Sequence, residues 1–257
     1  MKNMMEMAGM RVPFFHFSQW KWPWLRHGFS SRWGGYSSGY LRELNMAGQE
    51  EDIVTIKKNR SLLLGEMGLI NPRLITGEQV HGLGLSWADP NRGDFFRGVD
   101  GLFTSFPGTA LMAFFADCVP VFFAVPDHQA AGIVHAGWRG TAAGIVRKAA
   151  EKLIDELKIS PDEIFAGLGP CIGPCCYEVG PEVASSFSPE FLYTPFQGEQ
   201  FFLDLLKANI FQLEDAGLPT ANIEKSGLCT SCNPHLFYSH RRDRGKTGRM
   251  AGLVAII

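Results

Sequence analysis

The sequence predicts a single α+β domain with mixed β-sheets flanked by helices, and three observations point there. Short apolar, strand-like runs alternate irregularly with amphipathic helical stretches, which argues against the regular βαβ order of a dinucleotide-binding sheet. No Pro/Gly/Ser-rich linker divides the 257 residues, so residues 1–257 read as one unit. Glycine is unusually frequent, at 29 residues against about 7% of an average protein. It is used where a chain turns tightly or a ligand must approach the backbone. A composition of 46% apolar and 19% charged residues excludes a disordered chain, and no repeat recurs at a fixed interval.

Taken in order, Met1 to Met10 reads as a disordered tail: it carries Lys2 and Glu6 and lacks an apolar core of signal-peptide length. Residues 11 to 26 hold aromatics of mixed spacing, expected to pack over the core. Ser30 to Gly39 (SSRWGGYSSG) is a glycine/serine loop. Residues 51 to 68 predict a helix closed by Gly65 and Gly68, and Leu74 to Thr76 a strand leading into Gln79-Val80-His81-Gly82. Ala110 to Pro126 is the longest apolar stretch, but Asp117 and Pro120 break it, and it falls short of the ~18 residues of a spanning helix. It reads as two buried strands meeting at Asp117-Cys118. Ala130 to Val134 is another buried strand, ending at His135-Ala136-Gly137-Trp138-Arg139-Gly140. A helix then follows, with Val146, Ala149, Ala150, Leu153, Ile154 and Leu157 on one stripe. Ser160-Pro161-Asp162-Glu163 has a capping pattern. Strands over Ile164–Leu168 and Met250–Ile257 and a helix from Leu203 to Gly217 complete the set.

Lys+Arg is 24 and Asp+Glu is 26, a formal net charge of −2. The global basic field of a nucleic-acid binder is missing, so neither nucleic acid nor membrane is expected as a partner. The reading is a soluble, cytoplasmic protein, its oligomeric state left open. The six cysteines are Cys118, Cys171, Cys175, Cys176, Cys229 and Cys232, too few for a disulfide scaffold at this length, so thiols or metal ligands are expected.

Three segments share one grammar: an apolar strand ends in a reactive residue beside glycine or proline. They are Gln79-Val80-His81-Gly82, Ala116-Asp117-Cys118-Val119-Pro120 and Ile133-Val134-His135-Ala136-Gly137. Strand ends at one sheet edge converge in space, and two imidazoles with one thiolate make a first shell for catalytic zinc, whose fourth position stays open. The spacings of 37 and 17 residues match no short metal motif. Two other readings stand beside it: Cys118 as a buried small hydrophobe with histidines hydrogen-bonded in loops, or Cys118 as a nucleophile activated by His135 with Asp117 or His81 assisting.

Cys229-Thr230-Ser231-Cys232 is a CxxC. A structural zinc would need a second pair, from Cys171 with Cys175 or Cys176. No familiar spacing matches, so free loop thiols are the expectation. Arg139 is flanked by glycines just before a helix N-terminus, a position that favours an anion. With Arg32, Arg241 and Arg242 it is among the loop arginines best placed to meet phosphate, though each alone also reads as a solvated surface residue.

The runs ADCVPVFF (116–123), AGIVHAGWRGTAAGI (131–145), GPCIGPCCYEVG (169–180) and FYSHRRDRGKTGRMAG (237–252) resemble the laccase-domain family, also called the polyphenol oxidase or YfiH-type family. HGFSSRWGGYSSG (27–39), LNM (44–46) and QVHG (79–82) match as well. The resemblance implies a YfiH-like α+β domain and a zinc site at His81, Cys118 and His135, which double as the catalytic residues. It implies phosphorolysis of adenosine, inosine and methylthioadenosine to free base and ribose 1-phosphate, with adenosine deamination as a side activity. Purine nucleosides and phosphate are then the partners, and motif position adds Asn45, Arg32 and Ser30 to Arg139, Arg241 and Arg242 as substrate contacts. Asp117 would orient a ligand from behind. Copper (Cu2+) is the alternative metal for a His₂Cys set, but seven histidines are too few for a four-copper oxidase. A cysteine or metal hydrolase editing peptidoglycan precursors, a copper-binding polyphenol oxidase and a non-catalytic binding module are the competing functions.

Overall fold

The structure, a computed structural model, describes residues 12–194 and 200–257; the tail expected over residues 1–10 lies outside the described residues. The strands are β1 (Phe14–Phe15), β2 (Leu25–Ser30), β3 (Arg73–Gly77), β4 (Leu85–Trp87), β5 (Phe95–Phe96), β6 (Gly101–Thr104), β7 (Thr109–Phe115), β8 (Val119–Val125), β9 (Ala130–Ala136), β10 (Phe165–Leu168), β11 (Glu178–Val179), β12 (Leu192–Tyr193), β13 (Phe201–Leu203), β14 (Ile223–Lys225) and β15 (Met250–Ile256). The helices are α1 (Ile53–Glu66), α2 (Trp138–Ala142), α3 (Ile145–Leu157), α4 (Pro181–Ala184) and α5 (Leu205–Asp215).

Two six-stranded sheets form the body, in the orders β1-β2-β15-β7-β3-β5 and β14-β10-β8-β9-β6-β4, with a small β11-β13-β12 sheet beside them. Both large sheets are mixed: β3 runs parallel to β7 while β15 runs antiparallel to it, and β14 runs parallel to β10 while β8 runs antiparallel. The period of two along each strand builds the layers. In β8, Val119, Val121, Phe123 and Val125 pack with Val146 and Leu153 of α3 and Leu213 of α5. The alternate residues Phe122 and Ala124 meet Leu111 and Phe115 of β7 and Val254 of β15 between the sheets. On the outer face of the first sheet, Met112 and Leu253 pack under Leu63 of α1. The order is therefore helix, sheet, sheet, helices, and both faces of the central strands are dry. That is why they read as unbroken apolar runs. Burying a side chain such as Phe122 contributes roughly 2–3 kcal/mol. The sheets approach closely enough that a Cβ on Gly252 would stand 2.5 Å from Ile133 Cδ1.

The sequence-derived elements differ from the structure at four points, the first being Leu203, which ends β13 rather than opening the helix that begins at Leu205. The segment after His135 is two helices rather than one, because Gly144 takes φ +82 between α2 and α3. The Ser160–Glu163 capping box forms, but it closes only a single 3-10 turn before Ile164 extends into β10. Ser30 belongs to the end of β2 rather than to the loop after it. Among the described residues no helix is long and apolar enough to cross a membrane.

Strand register decides which loops gather. Because β3 and β7 are parallel, their C-terminal ends lie together. The antiparallel pairing of β8 with β9 puts Val119 opposite Ala136, so the start of β8 meets the end of β9. Met250 pairs with Phe115, bringing residue 249 to the same end. Leu168 pairs with Val121, bringing the loop after β10 there too. The convergence expected at one sheet edge thus occurs, but across the ends of two stacked sheets, joined by the 116–118 crossover.

Candidate metal centre and its cavity

His81, Cys118 and His135 meet at this end. One ligand atom from each lies within 4.8 Å of the others, and the two imidazole rings stand edge to face with centroids 4.7 Å apart. His135 is buried on β9. His81 sits in the loop after β3 with φ +59, and Cys118 follows Asp117, whose φ is +90 at the crossover. These left-handed positions are costly for non-glycine residues and persist only where surrounding bonds impose them.

Asp100 supplies those bonds for His81. Its carboxylate accepts the backbone N–H groups of Val80 (3.2 Å), His81 (3.0 Å) and Gly82 (2.8 Å) and contacts His135 Nδ1 at 2.9 Å. Its own carbonyl accepts from His135 N. Burial opposes the charge on Asp100, but His135 and the N–H groups outweigh it and hold the carboxyl below its usual range. With Nδ1 engaged, His135 presents Nε2 to the site, the arrangement in which a carboxylate fixes the tautomer of a metal-binding histidine. Burial likewise opposes ionisation of Cys118, yet the adjoining His135 and His81 bring the thiol down to about 6. His135 is desolvated, but the Cys118 sulfur and Asp100 raise it to about 9. The site favours a thiolate, which is the form that ligates metal.

Gly137 completes the cradle: a Cβ there would stand 2.9 Å from His81 Cδ2 and 3.2 Å from Cys118 Sγ. A thiolate, two imidazoles and a carboxylate behind one of them fit zinc, and a soft thiolate also suits copper. A Cβ on Gly82 would meet Val80 and Asp100, and one on Gly140 would meet Gly82 O and Ile145.

The three residues open into a cavity of about 560 Å³, within the roughly 300–1,000 Å³ range of small-molecule sites. Arg139, Arg241 and Arg249 line it, with Phe114, Trp138 and Tyr177. Arg139 lies over the Trp138 ring at 4.3 Å and Arg241 over the Tyr177 ring at 5.0 Å. The other sequence-derived contacts lie outside its lining. Arg242 spends its guanidinium on the carbonyls of Thr230 and Phe237 and on the Asp243 carboxylate. Arg32 pairs with Glu43 at 2.8 Å and covers Tyr238. Ser30 Oγ accepts Ala251 N within the sheet. Asn45 Oδ1 accepts the Arg249 N–H, so Asn45 acts one step back, by placing an arginine that sequence reading missed.

Asp117, expected behind a ligand, instead braces loops. Its carboxylate accepts Thr230 Oγ1 (2.6 Å), Ser239 Oγ (3.0 Å) and Arg241 N (2.7 Å), and Asp100 holds the position behind His135. Asp100 carried no signal beyond its place one residue before a glycine-led strand. Arg249 stood in the quoted TGRMAG run and was available there.

The family model described as multi-copper polyphenol oxidoreductase laccase matches residues 26–257. The chain belongs to this family. A relative from Geobacillus stearothermophilus named purine nucleoside phosphorylase YlmD is 39% identical over 242 residues, covering 88% of each chain. A protein of the same name from Bacillus subtilis is 32% identical over 246 residues, covering 89% of this chain and 87% of its own. The crystal structure of YlmD from Geobacillus stearothermophilus superposes with a TM-score of 0.89 at 36% identity, covering 95% of this chain and 96% of its own. The laccase-family fold is thus the mixed two-sheet body described above.

Proposed function

We infer that the chain is a zinc-dependent purine nucleoside phosphorylase that converts adenosine, inosine and methylthioadenosine to free base and ribose 1-phosphate, with adenosine deamination as a side reaction. One observation carries the reading: the His81–Cys118–His135 cluster opens into a cavity walled by three arginines and three aromatic rings. The name borne by the relatives supports the same reaction.

A zinc ion held by His81, Cys118 and His135 would supply a Lewis-acidic position for a phosphate oxygen, or for hydroxide in deamination. Arg139, Arg241 and Arg249 neutralise phosphate with paired N–H donors. Phe114, Trp138 and Tyr177 offer apolar faces to a purine. As the C1′–N9 bond breaks, its electron pair leaves with the base, and a phosphate oxygen bonds to C1′. The phosphate proton ends on the base nitrogen, so the reaction balances without a further reactant. The phosphate charge, held beside C1′, stabilises the positive charge that develops there.

The test is base release from inosine with and without phosphate, together with zinc content, for the wild type, Cys118→Ala and His135→Ala. The expected outcome is phosphate-dependent release in the wild type, and in the variants loss of activity together with the one zinc held by His81, Cys118 and His135. Normal activity in both variants would sink the site assignment. A second reading rests on the Cys118–His135–Asp100 chain, which also has the layout of a cysteine nucleophile with its base and orienting acid. Amino-acid release from a muramyl-peptide precursor, independent of phosphate, selects that reading.

A further inference from the structure

Four of the cysteines form a second cluster, outside the cavity just described. Cys175 and Cys176, in the loop after β10, meet Cys229 and Cys232, in the loop after β14, with their sulfurs all within 4.8 Å of one another. Cys232 Sγ is 3.4 Å from both Cys175 Sγ and Cys176 Sγ. Cys171, which sequence spacing offered as a partner, is not in the cluster. It is buried in the core and pairs the two loops through backbone: Cys171 N donates to Leu228 O and Thr230 N donates to Cys171 O.

We propose that Cys175, Cys176, Cys229 and Cys232 form a structural zinc site, distinct from the His81–Cys118–His135 centre. Sulfurs that stand 3.4 Å apart in two pairs and within 4.8 Å throughout are far beyond the ~2.05 Å of a disulfide. They are close to the ~3.8 Å that a tetrahedral zinc with bonds of about 2.3 Å sets between its ligands. A donor set of sulfur alone selects a thiophilic metal over calcium or magnesium. The surroundings are built for such a site. Gly173 N donates to Cys229 Sγ at 3.3 Å, which favours the thiolate. Asn233 Nδ2 donates to Cys229 O at 2.7 Å, and Arg242 donates to the carbonyls of Thr230 (3.0 Å) and Ser231 (3.4 Å), the two residues inside the CxxC turn. Zinc displaces four thiol protons and leaves a doubly negative cluster, and the Arg242 guanidinium stands beside it. The Cys175 and Cys232 side chains are exposed, so metal enters from solvent. The clamp ties down the loop that carries Ile172 and Tyr177 to the cavity wall.

The test uses the full chain, reduced, stripped with a chelator, reloaded with zinc and freed of excess. Two zinc ions per chain are expected, one for each cluster. Cys232→Ser should retain one, and His135→Ala should retain the other. With cobalt in place of zinc, the His135→Ala variant should keep most of the intensity of the sulfur-to-metal charge-transfer band, since that intensity grows with the number of thiolates. Should Cys232→Ser fail to fold, thiol titration of the wild type decides: zinc should protect Cys175, Cys176, Cys229 and Cys232, and chelation should release them. A single zinc per chain that His135→Ala abolishes, or cysteines that react equally fast with and without zinc, would overturn the proposal. Every readout is independent of catalysis, so failure of the phosphorylase reading leaves it standing.

Discussion

Replacing Asp100 with asparagine removes one oxygen acceptor from the point where the metal centre is assembled. The carboxylate serves four donors: Oδ1 takes His81 N and His135 Nδ1, and Oδ2 takes Val80 N and Gly82 N. An amide keeps one oxygen, so two donors keep a partner and the other two confront an NH₂ group. Hydrogen bonds to a charged group contribute roughly 1.5–3 kcal/mol each, so losing two costs at least about 3 kcal/mol. For a chain of this size that lowers Tm by about 6–12 °C. If the NH₂ faces His135, it also drives the imidazole to the tautomer that hides Nε2, and zinc affinity falls about 10–100-fold. Thermal unfolding of the metal-free protein reads the first effect, and competition with a chromophoric chelator reads the second. A Tm and a zinc affinity both equal to those of the wild type would refute the claim that Asp100 holds the two histidines.

The remaining predictions follow from the same contacts. Gly137 has φ −78, so Gly137→Ala is tolerated by the backbone, but its Cβ presses on His81 and Cys118. Zinc affinity should drop about tenfold, within the roughly 1–3 kcal/mol of overpacking, and chelator competition measures it. Arg241→Ala should raise KM for phosphate about tenfold, for a lost charge-assisted bond of roughly 1.5 kcal/mol, with a smaller fall in Tm than Arg242→Ala because its guanidinium donates to a single fold carbonyl, Glu178 O. Arg242→Ala should do the opposite, since its bonds go to the fold; steady-state kinetics and unfolding separate the two. Buried His27 accepts the Phe17 N–H and is held down to about 3 by burial first and His16 second. The folded state therefore keeps it neutral, while the unfolded chain takes a proton below about 6.5. Its contribution is fully present above that pH and fades as pH falls toward 3. Between pH 8 and pH 5 the loss is about 2 kcal/mol, and denaturant unfolding at the two pH values should show that much less slope in His27→Gln.

Local pattern made part of this legible. An apolar strand ending in a reactive residue marked His81, Cys118 and His135, and their meeting follows from strand direction. The long central strands stood out as unbroken apolar runs, and the helix over 145–157 carried a strong periodic signal. Two- and three-residue strands such as Phe95–Phe96 and Leu85–Trp87 have too few residues to show a period. Asp100 acts on residues 19 and 35 positions away, and only the pairing of Gly101 with Val134 brings it there. The arginines divide for the same reason. Neighbours in sequence, Arg241 and Arg242 point to different tasks because the Asp117 carboxylate captures Arg241 N and turns the chain at that step.

Asp117 places one of the three cavity arginines, Arg241, and ties together the loops around it. Its carbonyl accepts Ile172 N from the loop after β10, and its carboxylate accepts Thr230, Ser239 and Arg241 from two further segments. One buried acid next to Cys118 therefore fixes the wall that carries Tyr177, the turn that carries Cys229 and Cys232, and the arginine that faces the site. Its left-handed backbone at φ +90 is the cost, of order 1–3 kcal/mol, and four hydrogen bonds offset it. Asparagine tolerates that backbone well, so Asp117→Asn isolates the carboxylate: Thr230, Ser239 and Arg241 are all donors, and the amide can accept from only part of them. The expected result is a loosened Arg241, read as a higher KM for phosphate with zinc affinity at the first centre unchanged. A loss of zinc from His81, Cys118 and His135 instead would return Asp117 to the role of orienting a metal ligand.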